Sequence, residues 1–145
     1  MRLTRKLPLA FVLYLAACVG SGAAVGTITP GVPKVVEVGS DFDLSPSQSA
    51  VIDGGALTVT FVKVSEDSRC PTGVVCIWAG DDVTAMLLGA GESPKTPASL
   101  HTTLTPRAVS SGAYVVSLVG VKPAPKQGST IPQSSYVATF RVTRE

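Results

Sequence analysis

Ala56-Leu-Thr-Val-Thr-Phe-Val-Lys-Val64 runs directly into Ser65-Glu-Asp-Ser-Arg-Cys-Pro-Thr-Gly-Val-Val-Cys-Ile-Trp-Ala-Gly-Asp-Asp82. In the first part Leu57, Val59 and Phe61 fall on one side of an extended chain, and Thr58 and Thr60 fall on the other. That period of two marks a strand with one buried face. Val62 and Val64 join the threonine side, which predicts cover on both faces, as in a central strand. Residues 82–88 alternate in turn, Val83, Ala85 and Leu87 opposing Thr84, Met86 and Leu88. A sheet therefore holds the 65–82 stretch from both sides. That stretch contains two of the three cysteines, the only tryptophan and four of the ten acidic residues.

Outward from this centre, strand-like segments recur between turn signals. Residues 34–38 are short and β-branched and break at Gly39-Ser40-Asp41. Residues 48–52 end at Asp53-Gly54-Gly55, a hairpin signal. Residues 89–97, rich in Gly, Pro and Ser, read as loop. Residues 99–105 put Leu100, Thr102 and Leu104 inward and Ser99, His101 and Thr103 outward, and Pro106 ends them. Residues 113–121 set Tyr114, Val116 and Leu118 on one face; residues 135–142 set Tyr136, Ala138, Phe140 and Val142 toward the core. A stiff polar loop lies between them at 122–128. About seven short strands and no helix predict an all-β fold, a single immunoglobulin-like β-sandwich over residues 34–145.

Cys70 and Cys76 have five residues between them, enough chain to meet disulfide geometry. Zinc asks for about four ligands, and the chain offers one histidine and no second Cys pair. A redox pair usually has about two intervening residues. The pair therefore reads as a structural disulfide. Pro71, Thr72, Gly73, Val74 and Val75 form the loop it closes and are the candidate binding residues, with Pro71-Thr72-Gly73 supplying turn chemistry. Trp78 is expected to plug the core beside the disulfide.

The N-terminus carries Arg2, Arg5 and Lys6, then an apolar run over 7–17 interrupted only by Pro8. This is the order of a signal peptide, and the run is too short to span a bilayer. It ends Leu15-Ala16-Ala17-Cys18, which resembles the lipobox of bacterial lipoproteins. The resemblance implies cleavage after residue 17 and lipidation of Cys18. The partner is then the membrane, gripped by more than one acyl chain. Val19 in place of an aspartate leans toward the outer membrane, facing the periplasm or the cell surface. Residues 18–33 read as a flexible tether. Removing residues 1–17 takes away three basic and no acidic residues, so the charge falls from +2 to −1. With no basic run, nothing points to nucleic acid.

Asp67-Ser-Arg-Cys-Pro71 followed by Cys76-Ile-Trp-Ala-Gly80 and a C-terminal aromatic strand is similar to a pattern in uncharacterised bacterial lipoproteins. That resemblance implies class and location, and no activity. Chemistry finds little support. There is no Gly-x-Ser-x-Gly elbow, and His101, the only histidine, is expected on an outer strand face. Glu66, Asp67, Asp81 and Asp82 flank the Cys loop. They read as solvated turn residues, with a carboxylate pair, a Ca²⁺ site and an Asp67–Arg69 pair as alternatives. No cofactor and no metal are expected. The expected function is non-catalytic, a binding or structural module meeting an envelope protein or glycan. One alternative is a protease or hydrolase inhibitor presenting the Cys loop. Pro71-Thr72-Gly73 resembles an element of chagasin-like cysteine-protease inhibitors. The other alternative is an envelope hydrolase.

Overall fold

The computed structural model of the protein describes residues 31–91 and 93–145. The expected signal peptide, Cys18 and the expected tether up to residue 30 lie outside the described residues. Two sheets face each other across one core. The larger has the order β1 (Lys34–Val36), β3 (Ser49–Ile52), β4 (Leu57–Asp67), β5 (Asp82–Gly89), β6 (Thr96–His101). The smaller has the order β2 (Asp41–Leu44), β9 (Val137–Arg144), β8 (Tyr114–Lys122), β7 (Ala108–Ser111). Among the described strands only β1 and β3 form a parallel pair. Among the described residues no helix is long and apolar enough to cross a membrane.

The alternating patterns land where expected. Leu57, Val59 and Phe61 of β4 are fully buried, as are Val116 of β8 and Ala138, Phe140 and Val142 of β9. Phe140 lies between the rings of Phe42 and Phe61, at 6.0 and 6.2 Å. Each large apolar side chain moved from water into this core contributes about 1.5–3 kcal/mol.

Among the described residues nine strands form where the pattern suggests seven. The two extra, β2 and β7, have four residues each. In β2 only Phe42 and Leu44 face inward, too short an alternation to stand out beside its aspartates. β7 buries nothing fully, because it is an edge strand. β4 carries a bulge between Phe61 and Lys63. The extra residue reverses the facing of the strand beyond it, so Val64 is buried while Val62 is exposed. Gln133 then clamps the backbone of Val64 with both ends of its amide, at 2.7 and 3.3 Å.

The expected strand 99–105 is displaced to Thr96–His101. Leu104 is 58% exposed instead of inward. The Asp81 carboxylate draws the chain off the sheet by accepting the N–H groups of Thr103 and Leu104 at 2.8 and 3.3 Å. At the other end of β6, Pro97 is tolerated because β6 is an edge.

Candidate binding loop at one end of the sandwich

β4 ends and β5 begins at the same end of the larger sheet, with Asp67 opposite Asp82. The chain between them leaves the sandwich as a narrow-necked loop. Ser68 N–H donates to the Asp81 carbonyl at 2.7 Å, and Cys70 N–H to the Ala79 carbonyl at 3.0 Å. The Cys70–Cys76 disulfide closes the loop above this neck, with Cα atoms 5.9 Å apart. Gly80 is required here. Its φ is +71°, and a Cβ on it would lie 1.9 Å from the Ser68 carbonyl oxygen.

Arg69 fastens the neck to the facing sheet. Its guanidinium donates twice to Asp67, at 2.8 and 2.6 Å, to the Val121 carbonyl at 2.5 Å and to the Pro123 carbonyl at 3.0 Å. Tyr136 donates its hydroxyl to Asp67 at 3.0 Å. Burial works against an ionised Asp67, and the Arg69 hydrogen bonds outweigh it, holding the carboxyl below its usual range. Burial, with that same carboxylate beside it, pushes Tyr136 up to about 12. Asp82 is fully buried, accepts from Thr84 at 2.8 Å, and keeps its other oxygen 4.0 Å from Arg69. Burial raises its carboxyl above the usual range.

The four acidic residues around the loop thus have separate surroundings. Glu66 is exposed, and Asp67 is paired with Arg69. Asp81 is buried instead of solvated. It holds the His101 ring at 2.5 Å through Nδ1 and three donors from residues 102–104. Burial opposes its charge, but the His101 bond and the two backbone N–H bonds take the carboxyl down to about 2. His101 is therefore half-buried and oriented, and does not stand free on an outer face. Among the described residues no hydroxyl or thiol is hydrogen-bonded to its other ring nitrogen. Asp81 and His101 thus pair as two of a hydrolytic triad's three members do, with no nucleophile bonded as the third among the described residues. Among the described residues no cluster of His, Cys, Asp and Glu is placed to hold a metal ion.

The loop tip overturns the expectation for Trp78. It is 81% exposed, beside Ile77 at 93% and Val75 at 102%. The reason lies under the loop, where Asp67, Arg69, Asp82 and Tyr136 form a polar layer that closes the core. An indole would have to displace it to reach Phe61. Of the candidate residues, Thr72, Gly73 and Val75 are exposed, and Pro71 and Val74 are partly covered. Thr72 leans on the 122–128 loop, its N–H donating to the Pro125 carbonyl at 2.9 Å. Ile77, Trp78 and Leu104 are the surface residues that reasoning from the disulfide loop alone leaves out. Trp78 and Leu104 share a largely apolar cleft of about 250 Å³. The signal for Ile77 and Trp78 was in the sequence, since residues 70–80 contain no charged side chain.

Comparison of the chain with protein-family models, with curated proteins and with solved structures returned no match.

Proposed function

We propose that this chain is a lipid-anchored protein of the bacterial cell envelope, non-catalytic, that binds another envelope component through the tip of its Cys70–Cys76 loop. One observation carries the reading: three large apolar side chains, Val75, Ile77 and Trp78, stand almost fully in water on a loop stapled by a disulfide and clamped by Arg69. Exposed apolar groups on a mobile loop would collapse onto the nearest surface, whereas a rigid loop that keeps them out is already ordered for a partner. The Leu15-Ala16-Ala17-Cys18 stretch supports the anchor.

The test places a photoreactive residue at Val75 and, in a separate chain, at Val35, which is also exposed, near the opposite end of the domain. A specific adduct in the intact envelope is expected from Val75 alone. Equal adducts, or none from Val75, would remove the loop as the binding site. Metabolic labelling with palmitate, lost in the Cys18→Ser chain, tests the anchor separately.

The exposure of Thr72, Gly73 and Val75 also fits the inhibitor reading, in which this segment enters a protease cleft. Inhibition of a papain-like protease that disappears on substituting Thr72 and Gly73, and survives substitution of Trp78, would favour it.

A further inference from the structure

We infer that the component met by the loop tip is the lipid bilayer itself, with Val75, Ile77 and Trp78 entering the headgroup region of the membrane that carries the anchor. This deepens the reading above and rests on it for the position of Cys18. Three observations support it.

The first is chemical. Residues 70–80 carry no charge, and Thr72 is their only hydroxyl-bearing side chain. That hydroxyl is already satisfied by the Pro125 carbonyl at 3.3 Å. A loop built to recognise a protein or glycan presents hydrogen-bonding groups around its apolar centre. This tip presents apolar side chains and an indole, the composition that settles at a membrane interface. Exposed Lys126 lies beside Thr72 in a backbone bridge, one cation at the level of the lipid phosphates.

The second is shape. The three side chains expose on the order of 500 Å² of mostly apolar surface, concentrated on one short loop. A fluid bilayer can surround side chains that stand out into water as these do, without offering a matching rigid surface.

The third is direction. β4 runs toward the loop, β3 runs away from it, and β1 is parallel to β3. Lys34 is therefore the end of β1 nearer the loop. Lys34 pairs with Ala50, which pairs with Val59. From Val59 to Asp67 is roughly 26 Å along β4. Residues 19–33 extend to roughly 50 Å at most, enough to join Lys34 to a bilayer touching the loop.

Trp78 is the only tryptophan, so tryptophan emission reports the loop tip alone. The experiment uses the mature chain, lipidated and as the unlipidated Cys18→Ser form, with vesicles of phosphatidylethanolamine and phosphatidylglycerol. In the lipidated chain the emission should move to shorter wavelength, lose its quenching by aqueous iodide and be quenched by phospholipid brominated near the headgroup. The unlipidated chain should show the same shift at higher lipid concentration. Val75→Ser with Ile77→Ser, both at exposed positions, should weaken its vesicle binding at least about tenfold. A lipidated chain that binds vesicles while Trp78 remains open to iodide overturns the inference and leaves the anchor standing. A chain that proves unlipidated by mass spectrometry, yet shifts its Trp78 emission with vesicles, supports the inference and removes the anchor. A shift that requires added envelope protein, and is not produced by vesicles, overturns it.

Discussion

Both ends of the sandwich are tied across the two sheets by an aspartate, an arginine and a tyrosine. Under the Cys loop the trio is Asp67, Arg69 and Tyr136; at the opposite end it is Asp53, Arg144 and Tyr114. The composition is the same, and the burial differs. The side chains of Arg69 and Asp67 are 15% and 10% exposed, those of Arg144 and Asp53 61% and 39%. Arg69 also takes the backbone carbonyls of Val121 in the facing sheet and of Pro123 just beyond it, and faces a second, fully buried carboxylate in Asp82. Arg144 lies over the Tyr114 ring at 5.9 Å, at the edge of an open cleft. The difference teaches what each tie does. The exposed one sits in water that competes for every bond. The buried one fixes the direction in which the loop leaves the domain.

Arg69→Ala should therefore produce the largest effect among the ties. It leaves Asp67 and Asp82 close together in a dry layer without a countercharge, a situation that costs about 3 kcal/mol when one partner of a buried pair is removed. Urea unfolding measures it. Arg69→Lys should recover only part, since an ammonium cannot reproduce the two-pronged contact with Asp67. A loss in Arg69→Ala no larger than that of an ordinary surface substitution would break the comparison, because burial would then not be what distinguishes the ends.

Acid should act chiefly at the loop end, through Asp81. Its carboxyl is held down to about 2 in the folded chain, against about 3.9 when unfolded. A group depressed by folding stabilises above its unfolded value, and the contribution fades as pH falls from there toward about 2. The amount is about 2 kcal/mol. Asp82 runs the other way. Its carboxyl is raised, so acidification through its folded value relieves the cost of keeping it ionised. Asp81→Asn isolates the first contribution. Its urea midpoint should lie below the wild type's above about pH 5, and the gap should close toward pH 2. A gap that does not change with pH would place the strength of the loop end in packing, not in its ionised groups.

The sandwich was legible from Leu57, Val59, Phe61, Phe140 and Val142, because burial of one strand face writes a period of two into the sequence. The disulfide was legible from the five-residue spacing of Cys70 and Cys76 and from the absence of further metal ligands. β2 and β7 were not, since four residues with two or fewer buried side chains leave too weak an alternation. Trp78 was misread for a different reason. Proximity to a disulfide says that an indole is near the core boundary, but which side it takes depends on what seals the boundary. Here the seal is assembled from Asp67, Arg69, Asp82 and Tyr136, and Tyr136 stands 69 residues from Asp67. The same distance problem hid the partner of His101. Asp81, 20 residues away, reaches it only because Asp82, Asp81's neighbour in the chain, begins the strand beside β6.

The smallest effect is expected at the other end, from Arg144→Ala. The substitution removes an exposed ion pair and a stacking contact, and it leaves Tyr114 donating to Asp53. Nothing is left unpaired in a dry environment, because water reaches Asp53 directly. The Tyr114 hydrogen bond is also the first cause that lowers the Asp53 carboxyl, ahead of Arg144. Most of what holds that aspartate ionised should therefore survive. The urea midpoint should stay within experimental error of the wild type at physiological salt, with a small deficit appearing only at low salt, where screening no longer weakens the pair. A deficit as large as that of Arg69→Ala, unchanged by salt, would mean that the two ends are tied equally and that solvent exposure is the wrong basis for separating them. A deficit that shrinks with added salt would sharpen the contrast, since a buried pair such as Asp67–Arg69 should respond far less to the same change.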